Sequence, residues 1–195
     1  MVKTDKNNQL ERYMLYLDNQ RFATNDVNKI LTLARDRTSN KEIIIRDVRV
    51  SKKFIELDIS VSKKELKDII DLLIEIGKLK EIINIMDRKL KKEEAIGKGI
   101  DFFNNERYWL AHEVLEGVWK RTSDWEKELL NGLILIAAAF VHHQKNDDER
   151  CLSILERAMK KLTNIDGKYH EINIDLIKIN IMKILKEKKI FRFTI

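Results

Sequence analysis

The hydrophobic pattern of this 195-residue chain changes its period near residue 87, and this change constrains the fold more than any other feature. Before that point, segments that alternate apolar and polar residues are interleaved with segments of helical spacing. After it, helical spacing continues to about residue 188. The sequence therefore predicts an α+β protein, with an α/β domain over residues 1–86 and an all-helical bundle over residues 87–195.

The first domain is predicted to contain four strands and two helices in the order strand–helix–strand–strand–helix–strand. The predicted strands are residues 13–17, 43–50, 54–61 and 79–86. In the third strand Glu56 and Asp58 alternate with apolar residues, so we expect one face in the core of the domain. The other face is expected to be solvated, or to be covered by the second half of the chain or by another subunit. This order of elements is typical of the ferredoxin-like fold. An acidic, solvated face would repel phosphate, which argues against RNA binding by this sheet.

The second domain is predicted to contain five helices. Their expected ranges are residues 89–104, 107–120, 123–145, 147–162 and 171–188. The last residues, 191–195, have the composition of an extended segment and could pair with a sheet edge. The sequence thus predicts a bundle followed by a short extended end.

The residues with the most chemical potential lie on the predicted helix 107–120. Tyr108, His112, Glu116 and Trp119 stand at i, i+4, i+8 and i+11, which places them in one stripe along the helix. Glu113 is adjacent to His112. Ionisable groups in such a stripe must be solvated, paired with each other, or used in binding or catalysis. This stripe is the predicted functional site.

The same residues carry a family resemblance. The motif contains Phe103-Asn104, Tyr108, Ala111-His112-Glu113, Glu116, Trp119, Gly132-Leu133-Ile134, Ala137-Ala138-Ala139 and His142. On this motif residues 99–162 resemble the domain of unknown function 309 family. The resemblance implies a small helical bundle with a shared polar site, and it implies no chemistry. Leu135 stands where the family usually has Gln, which removes one polar partner.

The first functional hypothesis is a non-enzymatic binding or interaction module. In this hypothesis His112, Glu116, Tyr108 and Trp119 form a buried polar network that fixes the helix register, and no cofactor is needed. Asn104 would cap the helix. The expected partners are further copies of the chain, a protein partner or a small polar ligand, and Asn104, Arg107, Tyr108, Trp119 and His142 are the candidate binding residues.

The alternative is an enzyme. His112, Glu116 and His142 could hold a divalent metal, with Glu113 as general base of a hydrolase, so His112, Glu113 and Glu116 are the candidate catalytic residues. A ribonuclease of the helical HEPN kind is a second form of this alternative. Its pattern of Arg, four to six residues and His is matched by Arg107 and His112.

Composition narrows the cellular context. The net charge of +6 comes from 38 basic and 32 acidic residues without a basic block, so nucleic-acid binding is only weakly supported. The single cysteine, Cys151, excludes an internal disulfide and favours the reducing cytoplasm. The longest apolar run, residues 133–141, is too short to cross a bilayer. We therefore expect a cytoplasmic protein without a membrane segment.

Overall fold

A computed structural model describes residues 9–85 and 90–195 of the chain. Contacts between residues divide the chain into two compact units, one formed mainly by residues before 89 and the other mainly by residues after it. The predicted domain boundary between residues 86 and 87 lies outside the described residues. So does the last residue of the fourth predicted strand.

The first unit contains a four-stranded antiparallel sheet accompanied by helices, as the sequence predicts. Its elements in chain order are β1 (Leu10–Asp18), α1 (Val27–Arg37), β2 (Ile43–Val50), β3 (Phe54–Ser62), α2 (Leu66–Leu72) and β4 (Leu79–Asn84). The strands lie in the order β2-β3-β1-β4, with β1 paired to both β3 and β4 and β2 paired to β3. The two longest strands, β1 and β3, therefore occupy the centre of the sheet.

One face of this sheet forms the apolar core of the unit. Leu15, Leu57 and Ile59 from the central strands pack with Ile30 of α1 and Ile69 of α2, and all five side chains are buried. Helical spacing in α1 and α2 and period-two spacing in β3 place these residues on facing surfaces. Burial of this layer supplies the hydrophobic stabilisation that orders the sheet.

The opposite face of the sheet is buried as well, which excludes the solvated face among the predicted alternatives. Glu56 and Asp58 are 0% and 1% exposed. Asp58 accepts two hydrogen bonds from the guanidinium of Arg12, at 2.9 and 2.6 Å, and Glu56 is paired with Arg49 of β2. Strict alternation of charged and apolar residues is compatible with a buried face when cations on the neighbouring strands neutralise the carboxylates.

A β-bulge in β2 brings one of these cations into position. The register of β2 against β3 shifts between Ile45 and Asp47, which leaves Arg46 as the extra residue. After the shift Val48 points into the apolar core and Arg49 points to the opposite face, directly across from Glu56. Without the bulge, every residue after Ile45 would point to the other face of the sheet.

The second unit is helical, as predicted. Its helices are α3 (Lys92–Asn104), α4 (Tyr108–Trp119), α5 (Asp124–His143), α6 (Asp148–Leu162) and α7 (Ile174–Glu187). Contacts join α3 with α4, α4 with α5, α5 with α6, and α6 with α7, so helices that follow one another in the chain are packed together. The site helix α4 thus lies between α3 and α5.

Two features of this unit were not predicted. A two-stranded sheet, β5 (Lys168–Tyr169) with β6 (Ile172–Asn173), precedes α7. The end of the chain, from residue 189 to residue 195, has no regular secondary structure, so the described residues show no pairing of this segment with a sheet edge. Instead, Phe193 packs on the bundle against Phe103 and Phe140, with ring centroids 5.9 and 5.5 Å apart.

Candidate functional site

The turn before α4 sets the direction of the site helix. The N–H of Arg107 donates to the carbonyl of Phe102 at 2.8 Å, and the N–H of Glu106 donates to the carbonyl of Phe103 at 2.9 Å. These two bonds close a Schellman motif at the end of α3, with Glu106 in the left-handed conformation at φ 64°. Because α4 begins one residue after this motif, its first residue, Tyr108, packs close to Phe103.

Tyr108 is a core residue of the bundle. Its ring stacks on Phe140 with centroids 4.9 Å apart and meets Phe103 edge-on, also at 4.9 Å. The residue is 2% exposed, and burial raises the pKa of its hydroxyl well above the ordinary value. Tyr108 therefore fixes α4 against α5 and remains neutral at physiological pH.

His112, Glu113 and Glu116 form a polar cluster at the surface of α4, which we call the His–Glu edge. The possible ligand atoms of these three residues all lie within 4.8 Å of one another. Nδ1 of His112 is 3.3 Å from a carboxylate oxygen of Glu113, and Glu116 is 3.3 Å from Nζ of Lys120. The side chains are 29%, 43% and 33% exposed, so the cluster is open to solvent.

Trp119 does not complete a buried polar network with these residues. Its indole Nε1 is buried and has no hydrogen-bond partner among the described residues. Nζ of Lys127 instead lies over the indole ring, 4.9 Å from the ring centroid, in a cation–π contact. Since His112 and Glu116 are partly exposed, the structure differs from the expected closed network of His, Glu, Tyr and Trp side chains.

His142 lies at the end of α5, and its side chain contacts an acidic residue of the turn that follows. Its Nδ1 is 3.1 Å from the carboxylate of Asp147, and Nδ1 of His143 is 2.6 Å from that of Asp148. Asn146 adopts the left-handed conformation at φ 60°, which Asn tolerates better than most residues. Among the described residues, the cluster of close ligand atoms contains His112, Glu113 and Glu116 and does not extend to His142.

Asn104 does not cap α4, which is a further difference from the sequence prediction. Its side chain donates to the carbonyl of Ile195 at 3.2 Å and accepts from the N–H of Ile195 at 2.8 Å. Arg192 forms an ion pair with the buried Glu106 in the same region. These contacts hold the last residues of the chain on the corner between α3 and α4, where the sequence alone gives no sign of them.

Arg107 precedes the first turn of α4, five residues before His112. Its backbone, at φ −85° and ψ 57°, is not helical, so the regular spacing of α4 does not fix the position of its side chain. The pairing of Arg107 with His112 therefore stays a prediction.

Cys151 is a small core residue of α6 and is buried. Burial, together with the nearby carboxylates of Asp148 and Asp147, raises the pKa of its thiol from 9.0 to about 12. A thiol of this kind is protonated at neutral pH and is a poor nucleophile. Cys151 therefore has no role in the site.

Glu126 of α5 was missed by the sequence analysis. Its carboxylate accepts from Nζ of Lys92 at 2.7 Å and from the hydroxyl of Tyr169 at 2.6 Å. Burial raises the pKa of Glu126, but the two donors outweigh it and the net shift is downward. The three residues join α3, α5 and β5, so they stabilise the bundle.

The His–Glu edge has the donor chemistry of a divalent-cation site. An imidazole nitrogen and carboxylate oxygens suit Zn²⁺, Mn²⁺ and related ions. The i, i+4 spacing of His112 and Glu116 places two donors on one helical face. An ion held by one helix would retain water in its other coordination positions, because no ligand closes the solvent side.

The His–Glu edge lies within the part of the chain that matches a known family model. The model of the family described as Domain of unknown function (DUF309) matches residues 96–154, which confirms the resemblance seen in the motif. The N-terminal half has no family match. A search of the curated proteins returned no match. The segment spans most of α3, all of α4 and α5, and the first part of α6, so it contains every residue of the His–Glu edge.

Proposed function

We propose that this protein is a non-enzymatic binding module whose His–Glu edge takes up a divalent cation. The observation that carries the proposal is the convergence of possible ligand atoms from His112, Glu113 and Glu116 within 4.8 Å on an exposed face. Three donors of this chemistry need small rotamer changes to reach one ion, because metal–ligand distances are about 2.0–2.2 Å for zinc.

Binding is favoured over catalysis by the position of the groups. All three donors come from two adjacent turns of one helix, and each is partly open to water. Efficient catalysis needs groups on opposite sides of a substrate in a site that excludes water. The same features suit a cation that bridges the helix to a small polar ligand or to an acidic group of a partner.

The second candidate function is a metal-assisted hydrolase at the same edge. It is supported by Glu113, whose carboxylate lies 3.3 Å from Nδ1 of His112 and could act as general base on a metal-bound water. The ribonuclease form of this candidate is less well supported, since it rests on the spacing of Arg107 and His112 in the sequence alone. Nucleic-acid binding remains the weakest of the proposed interactions.

We also propose that the N-terminal unit has the ferredoxin-like topology and ends at residue 86. The support is the order of elements, β1-α1-β2-β3-α2-β4, together with the strand order β2-β3-β1-β4 and antiparallel pairing at every neighbour. Such domains serve many unrelated functions, so the topology does not by itself assign one.

A cytoplasmic location and a homo-oligomeric state complete the proposal. The location is supported by the lone free cysteine, Cys151, which is buried and reduced. Within the described residues, no helix has both the length and the apolar composition needed to cross a membrane. Oligomerisation is supported by large apolar side chains that remain exposed on α7.

Calorimetric titration with Zn²⁺, Mn²⁺ and Mg²⁺ tests the proposed function. We expect saturable binding of one transition-metal ion per chain, lost in His112→Ala and in Glu116→Ala. His143→Ala is the matched control, since His143 is a similarly exposed histidine paired with one carboxylate. If the metal-loaded protein hydrolyses phosphodiester or peptide substrates and Glu113→Gln abolishes this activity, the protein is the hydrolase of the second candidate and not a binding module. No metal binding by the wild type would contradict both.

A further inference from the structure

Helix α7 has two apolar faces, one buried in the bundle and one exposed to solvent. The buried face is formed by Ile174, Ile177, Ile181 and Ile184. On the other side Leu176, Ile179 and Met182 are 49%, 56% and 51% exposed. We call these three residues the α7 stripe.

The α7 stripe is continuous along the helix. Leu176 and Met182 stand three residues before and after Ile179, so each is displaced by about 60° around the helix and about 4.5 Å along it. A single exposed leucine or isoleucine is normal on a protein surface, whereas neighbouring ones form an apolar patch that favours association. The stripe therefore has the character of an interaction surface.

Charges at the two ends of the stripe have opposite signs. Asp175 is exposed at the N-terminal end, and Lys183 and Lys186 are exposed at the C-terminal end. All three lie within about 40° of the direction of Ile179, whereas Glu187 is about 80° away at the rim. A helix that docks antiparallel on this surface with the same charge order would place its basic end beside Asp175 and its acidic end beside the lysines.

We infer that the α7 stripe is the interface of a homodimer in which two copies of α7 pack antiparallel about Ile179. The stripe is self-complementary under a two-fold axis, since Leu176 and Met182 are equally distant from Ile179 and the end charges are opposite. A parallel pair would bring like charges together. This inference deepens the proposed homo-oligomeric state by naming its surface, and it rests on that part of the proposed function.

Sedimentation equilibrium of the full chain tests the surface. Ile179→Glu places two carboxylates against each other at the proposed two-fold axis, and it replaces a side chain that is exposed in the single chain. We expect it to weaken dimerisation by about tenfold or more. Ile74→Glu is the matched control, because Ile74 is 60% exposed and lies outside α7. A dimer that survives Ile179→Glu unchanged, or a wild type that stays monomeric at every concentration, would overturn the inference.

Charge exchange tests the antiparallel arrangement. Asp175→Lys alone makes both ends of the stripe basic, and Lys183→Glu with Lys186→Glu makes both ends acidic, so each variant should dimerise more weakly than the wild type. Mixed together, the two variants restore opposite charges at both ends, and a heterodimer should form. Failure of the mixture to associate better than either variant alone would refute antiparallel pairing. Thermal unfolding of each variant verifies that the fold is retained, since Asp175 also accepts from the N–H of Gly167.

The two proposals fail separately. A monomeric protein that binds Zn²⁺ at the His–Glu edge retains the cation-binding function and loses the dimer. A dimer that persists in Ile179→Glu retains the oligomeric state but uses a different surface. Association with a different protein through the stripe, in a wild type that does not self-associate, would also overturn the homodimer.

Discussion

Arg49 and Glu56 form an ion pair across β2 and β3 in which both side chains are almost completely buried, at 3% and 0% exposure. The hydroxyl of Tyr16 donates to the second carboxylate oxygen of Glu56 at 2.8 Å. Burial opposes the positive charge on Arg49, but Glu56, Asp47 and Asp58 outweigh it and raise the pKa of the guanidinium. The polar face of the sheet is therefore a compensated charge network.

Removing one partner of this pair should destabilise the protein strongly. Glu56→Gln leaves the charge of Arg49 buried without its main partner, and we expect a loss of about 3 kcal/mol in the free energy of unfolding. Urea unfolding followed by circular dichroism measures the loss. The exposed Glu42→Gln is the control and should change stability by less than about 0.5 kcal/mol. Equal effects of the two substitutions would contradict a buried network.

Two pairs of helical glycines should respond to alanine in opposite directions. A Cβ at Gly132 would lie 2.6 Å from a methyl of Leu162, and one at Gly99 would lie 2.7 Å from a methyl of Leu115. Gly97 and Gly117 have no heavy atom within 4 Å of the same position. Gly97→Ala and Gly117→Ala should therefore each raise the free energy of unfolding by about 0.5–1 kcal/mol.

At Gly99 and Gly132 the steric conflict should exceed the gain in helix propensity and cost about 1–3 kcal/mol. Thermal unfolding of the four single variants provides the comparison. If Gly132→Ala were as stabilising as Gly117→Ala, the close approach of α5 and α6 at this position would be wrong.

Cys151 should be unreactive in the folded protein and should make stability sensitive to alkaline pH. The folded chain holds the thiol proton up to about pH 12, whereas a thiol with the ordinary pKa of 9.0 releases it earlier. The folded state thus binds the proton more tightly than the unfolded state. The protonated thiol therefore contributes fully to the free energy of unfolding below pH 9.0, and this contribution is lost as pH rises toward 12. Thiol titration at pH 8 should be slow until urea is added, and Cys151→Ala should remove this part of the alkaline slope. Rapid labelling of the native protein would contradict this account.

The last residues of the chain should contribute to bundle stability. Phe193→Ala removes the contacts with Phe103 and Phe140, and we expect a cost of about 2 kcal/mol. Asn104→Ala removes two exposed hydrogen bonds to Ile195 and should cost about 1 kcal/mol or less. The exposed Thr194→Ala is the control. Hydrogen exchange of the α3–α4 corner distinguishes local release of the segment from global loss of stability.

Periodicity was sufficient to predict the order of the helices and of the four long strands, whereas the two-residue strands β5 and β6 are too short to show a period. Apolar alternation in β3 and helical spacing in α4 and α5 are strong because each element buries one continuous face. The bulge at Arg46 could not be read in this way, because its position depends on pairing with β3 and on the partner offered by Glu56. Alternation likewise does not distinguish a solvated charge from one neutralised by a residue distant in sequence.

The site was predicted in part. The stripe on α4 correctly brought His112 and Glu116 together, since i, i+4 neighbours are set by the local helix. The expected role of Asn104 failed because its partner, Ile195, is 91 residues away and no local pattern reports such a contact. Glu106 was missed for the same reason, as its ion pair is with Arg192.

Calorimetric titration of the wild type and His112→Ala with Zn²⁺ decides whether the His–Glu edge holds a cation. We expect one saturable ion per wild-type chain and no saturable binding by His112→Ala, while His143→Ala binds like the wild type. Equal binding by all three proteins, or none by the wild type, would contradict a cation site on α4.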